Sequence, residues 1–146
     1  MRWYPVRLAI TLLCAAFVSS GNATADTSTH ALRLNESLTL PGGSARVTFV
    51  YAHDARCPKD VQCLVAGDAY ALLWFEMGTE RKLLAVAWPG PPANLDLPNA
   101  HLGYAFCFLA LEPRSRHNQV VRARDRKLRF TVQKDVEGAR ACKAAA

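Results

Sequence analysis

Hydrophobic positions follow a period of two along much of the chain, and this period predicts strands rather than helices. In residues 46–51 the side chains of Val47, Phe49 and Tyr51 fall on one face of such a strand. Residues 31–40 show the same alternation around a polar interruption. No stretch has the spacing of an amphipathic helix of ordinary length. The pattern therefore predicts an all-β protein.

Three further segments are apolar on both faces, as strands in the covered part of a sheet are. Residues 69–76 and 82–88 lie on either side of a short turn, so they predict a hairpin. Residues 104–111 predict a third buried strand. The Pro-rich stretch 89–103 cannot continue a strand and predicts a long irregular loop.

Residues 120–124 and 128–132 predict two more strands, with residues 125–127 as the turn between them. This makes about seven antiparallel strands at spacings typical of a single-domain sandwich or partly closed barrel. There is no room for the crossover helices that a parallel sheet needs.

The N-terminus has the three regions of a secretory signal peptide. Two arginines precede an apolar run at residues 8–18, and Ala23-Thr24-Ala25 fits the cleavage pattern. The run is shorter than the roughly 20 residues that span a bilayer, so no membrane-spanning segment is expected. The sequence predicts cleavage after Ala25 and an exported domain of residues 26–146, periplasmic or secreted.

The predicted domain contains four cysteines: Cys57, Cys63, Cys107 and Cys142. An even number in an exported chain indicates disulfides, and four cysteines allow three pairings. The six-residue separation favours Cys57–Cys63 as a local link, which leaves Cys107 for Cys142. A zinc site is the alternative, but the chain lacks the paired C-x-x-C spacing of such sites.

Residues 49–73 contain a loop motif after a hydrophobic strand: Asp-x-Arg-Cys-Pro, four residues, a second Cys, and Ala-Gly before the next strand. The motif resembles the signature of an uncharacterised family of small bacterial exported proteins, many of them lipoproteins. Ala55 stands where the family usually has Ser, and Val65 where it usually has Trp. The resemblance implies a small exported β-domain with no established activity. The matching positions are Asp54, Arg56, Cys57, Pro58, Cys63, Ala66, Gly67 and Ala69.

The motif residues can also be interpreted physically. Asp54 is expected to accept hydrogen bonds from turn amides, while Arg56 pairs with a nearby carboxylate or carbonyl. Pro58 fixes its own φ directly after Cys57. Gly67 indicates a backbone conformation that other residues avoid.

The sequence contains no G-x-S-x-G, no phosphate-binding loop and no obvious pair of carboxylates. It therefore predicts a non-catalytic binding domain without a cofactor. Two alternatives stay open. One is an enzyme whose site combines residues distant in sequence. The other is a metal-binding protein that uses His53 and Asp54 with His101 or His117.

Charge is segregated in residues 114–129, which hold six arginines and one lysine against one aspartate. In the predicted hairpin of residues 120–132, the inward alternation of apolar residues turns the cations outward on one face. Arg114, Arg116 and His117 lie in the preceding loop. The outward cations are Arg122, Arg124, Lys127 and Arg129.

Such a face predicts an anionic partner: lipid headgroups, acidic polysaccharide or an acidic protein. Nucleic acid is not expected, because the chain is predicted to be exported and no aromatic residue is interleaved among the arginines to stack on bases. The alternative explanation is that the charges keep an edge hairpin from pairing with other chains.

Overall fold

The computed structural model describes residues 26–90, 95–134 and 142, and the predicted signal peptide lies outside them. The described chain forms eight strands and one short 3-10 helix at Ala123–Asp125. In chain order the strands are β1 (Thr27–Arg33), β2 (Ser37–Thr39), β3 (Ala45–Asp54), β4 (Ala69–Met77), β5 (Glu80–Trp88), β6 (Ala100–His101), β7 (Tyr104–Glu112) and β8 (Lys127–Lys134).

The strands form two antiparallel four-stranded sheets that pack as a sandwich. The first sheet has the order β1-β8-β7-β6, and the second has the order β2-β3-β4-β5. The predicted all-β fold is confirmed, and of its two predicted forms the protein adopts the sandwich, which is not closed, rather than the partly closed barrel. β8 is a central strand with β1 on one side and β7 on the other.

The inner faces of the two sheets supply one hydrophobic core. Phe49 and Phe75 come from the second sheet, and Phe106 and Phe130 come from the first, all fully buried. Phe75 and Phe106 meet across the sheets with ring centroids 6.0 Å apart. Truncation of a buried phenylalanine typically costs about 3–5 kcal/mol, so these four rings are a main source of stability.

The predicted hairpin of residues 69–76 and 82–88 is confirmed as β4 and β5. Met77 pairs with Glu80, and Gly78 begins the turn between them with a φ of 60°. Both predicted disulfides are also present. The Cα atoms are 5.9 Å apart in Cys57–Cys63 and 5.4 Å apart in Cys107–Cys142.

The alternating segment 31–40 does not form one strand. It divides into β1 and β2, which belong to different sheets. Asn35 adopts a φ of 66°, and its N–H donates to the Phe49 carbonyl at 2.7 Å. The apolar alternation continues across the break because Leu32 in β1 and Leu40 directly after β2 are both buried in the same core.

The prediction that Tyr51 shares a face with Val47 and Phe49 is wrong. The pairing of β3 with β4 shifts register between Phe49 and Tyr51, as in a β-bulge. A bulge inserts an extra residue and reverses the facing of every later side chain. Tyr51 is therefore 46% exposed on the outer face. Asp54, at the end of the strand, turns into the sandwich.

The predicted strand at residues 120–124 is also wrong. Residues 120–122 are irregular, and Ala123–Asp125 form the 3-10 helix. The reason is the topology: β1 and β7 already occupy both edges of β8, so no edge is left for a third partner. The hairpin proposed from the sequence therefore does not exist.

Candidate functional site

Two long loops lie side by side at one end of the sandwich. We call residues 55–68, between β3 and β4, the disulfide loop, and residues 113–126, between β7 and β8, the arginine loop. The backbone N–H of Lys59 donates to the Ser115 carbonyl at 3.0 Å and joins them. We call this end the loop end. At the opposite end, which we call the turn end, residues 40–44 and short hairpin turns connect the strands.

Further hydrogen bonds hold the two loops together. The Arg114 guanidinium donates to the Cys57 carbonyl from Nε at 3.1 Å and from Nη2 at 2.9 Å. The His117 N–H donates to Asp60 Oδ1 at 2.7 Å, and this bond lowers the pKa of the Asp60 carboxyl. Pro58, which the motif singles out, lies between the Cys57 and Asp60 contacts. The loop end is therefore a fixed surface made by both loops.

Beneath the loops, Asp54, Arg56 and Arg126 form a buried ion cluster. Arg56 donates from Nε to Asp54 Oδ1 at 2.7 Å and from Nη2 to Oδ2 at 2.9 Å. Arg126 donates from Nη1 to Asp54 Oδ2 at 2.5 Å. The side chains are 2%, 11% and 10% exposed in that order, so water screens their charges little. The cluster joins the end of β3 to the start of β8.

The ion cluster contains two cations and one anion, and backbone carbonyls complete it. Arg56 Nη2 also donates to the Leu111 carbonyl at 2.6 Å. Arg126 Nη1 also donates to the Pro113 carbonyl at 3.0 Å. Carbonyl dipoles partly compensate the second guanidinium, which has no carboxylate of its own in the cluster. Both arginines therefore fix the chain where β7 leaves the sheet.

The protonation of Asp54 shows what the ion cluster can do chemically. Burial raises the pKa of the Asp54 carboxyl, but hydrogen bonds and charge from Arg56 and then Arg126 outweigh burial, and the pKa lies below the ordinary 3.8. At neutral pH Asp54 is a carboxylate with both oxygens engaged. Such a group neither accepts a proton readily nor offers itself to a metal ion. The ion cluster holds the loops in place.

The disulfide loop also depends on Gly67, which has a φ of 72°. A Cβ at this position would lie 2.0 Å from the Ala55 carbonyl oxygen, far inside van der Waals contact. The close approach lets the Ala55 N–H donate to the Asp68 carbonyl at 2.8 Å. The motif glycine therefore permits the two ends of the loop to pair.

The four cations predicted to line a hairpin lie on two kinds of structure. Lys127 and Arg129 belong to β8, whereas Arg122 and Arg124 belong to the arginine loop. All four are exposed. Arg122 pairs with a carboxylate of its own loop at 3.0 Å, and Arg129 with a carboxylate of β7 at 3.8 Å. The single predicted stripe is replaced by a broader basic surface at the loop end.

Within residues 114–129, three exposed cations are engaged neither by a close carboxylate nor by a backbone carbonyl. Among the described residues, no carboxylate oxygen lies within 4.0 Å of the charged nitrogens of Arg116, Arg124 or Lys127. The charge of Arg116 helps to lower the pKa of the Asp60 carboxyl, but all three side chains are exposed to an external anion. We call these three residues the free cations.

The loop end also exposes apolar side chains. Leu64 is fully exposed, and Val65 and Val120 are 76% and 90% exposed. Val61 and Trp88 are exposed to a smaller extent at the same end. Within the described residues, eight large hydrophobic side chains are exposed, and five of them lie at the loop end. Sequence reasoning missed this group, because periodicity carries no information about how far a loop projects.

The alternative metal site is not assembled. His53 stacks on Tyr70 on the outer face of the second sheet, with ring centroids 4.8 Å apart, while Asp54 points inward. Neighbours on a strand face opposite ways, so the two cannot bind one ion. His101 packs edge-on against Phe75 at 5.7 Å. No cluster of three or more His, Cys, Asp or Glu side chains suited to a metal occurs in the part of the chain that the structure describes.

An open depression of about 490 Å³ lies at the turn end. Two of its charged residues, Glu76 and Arg81, pair with each other at 3.2 Å. The Arg81 guanidinium also lies 4.3 Å from the Trp74 ring centroid. These groups are already engaged with one another, so the loop end is the better candidate for a binding site.

The sequence interpretation missed Arg126, which it placed in a turn. A signal was present: Arg126 has the same parity as Leu128, Phe130 and Val132, which face the core. Extending the alternation by one step would have turned Arg126 inward. Its partner could not have been found in the same way, because the inward facing of Asp54 depends on the bulge in β3.

No family model, curated protein or solved structure matches the chain. The resemblance suggested by residues 49–73 thus rests on the motif residues alone and stays a prediction. As for the membrane, no helix in the described ranges is long and apolar enough to cross one.

Proposed function

We propose that the protein is an exported, non-catalytic binding domain that uses the loop end to bind anionic surfaces. The observation that carries the proposal is the set of free cations, Arg116, Arg124 and Lys127, on a surface that hydrogen bonds and the ion cluster hold in place. Unbalanced surface charge attracts oppositely charged partners and accelerates their association.

The distribution of charge along the arginine loop supports the proposal. The loop contains five arginines and one aspartate. Asp54 takes up part of the charge of Arg126, and Asp125 pairs with Arg122. The remaining positive charge faces solvent on one side of the molecule, and at physiological salt its field extends about 8 Å. Binding should therefore require close approach and weaken as salt rises.

The topology weakens the alternative explanation that the charges protect an edge strand. β8 is central in its sheet, so Lys127 and Arg129 do not guard an exposed edge. Arg122 and Arg124 are not on a strand at all. A role in avoiding edge-to-edge pairing does not account for cations at these positions.

The test compares two charge-matched variants of the exported, oxidised protein. The loop-end variant is Arg116→Ser, Arg124→Ser and Lys127→Ser. The matched control is Arg46→Ser, Lys82→Ser and Lys134→Ser, which removes the same charge from exposed residues near the turn end. The two sets are separated by strands of about nine residues, or roughly 30 Å, which exceeds the screening length.

Binding is measured to phosphatidylglycerol vesicles and to immobilised dextran sulfate. Each cation near an anionic lipid surface contributes about 1 kcal/mol, so the loop-end variant should bind vesicles roughly 100-fold more weakly. The control should stay within a few-fold of the parent. Equal weakening by both variants would show that only net charge matters, and no weakening would refute the proposal.

A further inference from the structure

The exposed aliphatic residues of the loop end lie on both loops. Leu64 and Val65 are in the disulfide loop, and Val120 is in the arginine loop. An aliphatic side chain that stays in water lacks the favourable free energy that it would gain by burial in an apolar environment. Isolated exposed aliphatics are common on soluble proteins, but a concentration at one end indicates an interaction surface. We call these three residues the loop tips.

Covalent and hydrogen-bonded constraints hold the loop tips. Leu64 and Val65 directly follow Cys63, so the Cys57–Cys63 disulfide restrains their backbone. Val120 follows Gln119, whose N–H donates to the Arg116 carbonyl at 3.1 Å. A surface that is ordered before binding loses less conformational entropy on binding. The loop tips are therefore presented to solvent in a defined arrangement.

Of the loop tips, Val120 lies in the same loop as two of the free cations, Arg116 and Arg124. Val120 is four residues from both Arg116 and Arg124, and the hydrogen bonds between the loops bring the disulfide loop to the same surface. Cations around exposed aliphatic side chains match the layered chemistry of a bilayer surface, which has anionic headgroups outside and acyl chains beneath them. An acidic polysaccharide offers charge but no apolar layer.

An acidic protein would match the charge, but the loop tips fit it less well. Protein interfaces seat apolar side chains in pockets of matching shape. A bilayer accepts projecting aliphatic side chains without such a pocket. Trp88, partly exposed at the same end, has the amphipathic ring that is enriched at the level of lipid headgroups.

We infer that the anionic surface is a lipid bilayer, and that Leu64, Val65 and Val120 insert among its headgroups while the free cations contact lipid phosphates. This inference rests on the proposed function and names its ligand. The protein then binds the membrane surface through its loop end, with the strands pointing away from the bilayer.

The first test removes the loop tips and keeps the charge. The variant Leu64→Ser, Val65→Ser and Val120→Ser is compared with Leu102→Ser, which changes an exposed leucine near the turn end. Binding is measured to phosphatidylglycerol vesicles and to dextran sulfate. We expect the loop-tip variant to bind vesicles at least about 10-fold more weakly, because each fully inserted side chain is worth about one order of magnitude. Its binding to dextran sulfate should stay unchanged.

The second test reports insertion directly. Leu64→Trp places a fluorophore at the loop tips, and Leu102→Trp places one near the turn end as the control. After subtraction of the parent spectrum, phosphatidylglycerol vesicles should shift the Leu64→Trp emission to shorter wavelength, and brominated lipids should quench it. The Leu102→Trp emission should not change.

The outcomes separate this inference from the proposed function. If the loop-tip variant binds vesicles as the parent does and the Leu64→Trp emission does not shift, insertion is refuted while charge-driven binding stands. If the parent binds dextran sulfate but not vesicles, the ligand is a polyanion other than lipid, and insertion is again refuted. If the variant without the free cations binds both probes as the parent does, the proposed function itself fails.

Discussion

The two ends of the sandwich are built in different ways. At the turn end, adjacent strands are joined by short turns such as Gly78-Thr79, and the ion pair of Glu76 with Arg81 is exposed. At the loop end, two long loops are held by a disulfide and a buried ion cluster. The turns at the turn end are only as long as the connection of the strands requires. The loops at the loop end are longer than that, and they form a stabilised surface.

This difference shows that the loop end is ordered by specific interactions rather than by a packed hydrophobic core. A long surface loop loses conformational entropy when it is fixed, so it needs dedicated interactions. Arg56 and Arg126 supply such interactions, because their guanidinium groups are buried and both pair with Asp54. We interpret the fixed loops as the reason the free cations and the loop tips can act as one surface.

The largest expected effect comes from breaking the ion cluster. Asp54→Asn leaves two buried guanidiniums without their carboxylate, and removal of one partner from a buried ion pair typically costs about 3–5 kcal/mol. The matched substitution at the turn end is Glu76→Gln, which breaks an exposed pair worth less than about 1 kcal/mol. Urea unfolding of the oxidised protein measures both free energies. Similar losses at the two ends would contradict the comparison.

The disulfides separate stability from binding. On the chain-entropy model, Cys107→Ser with Cys142→Ser should cost about 4 kcal/mol, because the link spans 35 residues. Cys57→Ser with Cys63→Ser should cost only about 2 kcal/mol, because the link spans 6 residues. Vesicle binding should nevertheless fall in the second variant and persist in the first. If the first variant also lost binding while still folded, the loop end would not be the binding surface.

A smaller loss of stability is expected from alanine substitution of two glycines with similar backbone conformation, one at each end of the sandwich. Gly67 and Gly78 have φ values of 72° and 60°. At Gly78 nothing lies within 4 Å of an added Cβ, so Gly78→Ala should cost only the left-handed strain of about 1 kcal/mol. At Gly67 the Cβ would meet the Ala55 carbonyl, and Gly67→Ala should cost at least about 2 kcal/mol. Thermal unfolding of both variants checks the order.

The smallest effect is expected from mild acid. The pKa of Asp54 is lowered from 3.8 in the folded protein, so its stabilisation is complete above that pH and is lost as pH falls through the folded pKa. For His30 it is burial that lowers the pKa from 6.5, so the contribution of His30 to the unfolding free energy declines below that pH. The unfolding free energy should therefore begin to fall below about pH 6.5 and fall further below about pH 4.

The Asp54→Asn variant isolates the second decline of the unfolding free energy, the one expected below about pH 4. It should keep the decline that begins below pH 6.5 and the part of the acid decline that comes from Asp60, whose pKa is also lowered, but it should lose the part that comes from a carboxyl at position 54. A profile parallel to that of the parent down to pH 3 would mean that Asp54 is not held as a carboxylate by Arg56 and Arg126.

The sequence by itself determined the features that depend on nearby residues. Alternation over residues 46–51 predicted β3, and continuous apolar runs predicted β4, β5 and β7, because apolar side chains must be buried whichever strand lies beside them. The cysteine spacing led to the correct disulfides, since only one pairing included a short local link. The motif around Cys57 indicated a constrained loop.

Only the tertiary structure decided how these elements meet. Asp54 and Arg126 are 72 residues apart and touch because the bulge between Phe49 and Tyr51 turns Asp54 inward. Residues 120–124 are not a strand, because β1 and β7 occupy both edges of β8. Register and sheet order follow from the packing of the whole chain, because one local pattern is compatible with several registers and several strand orders. For that reason the basic segment could be found in the sequence, but the surface it forms could not.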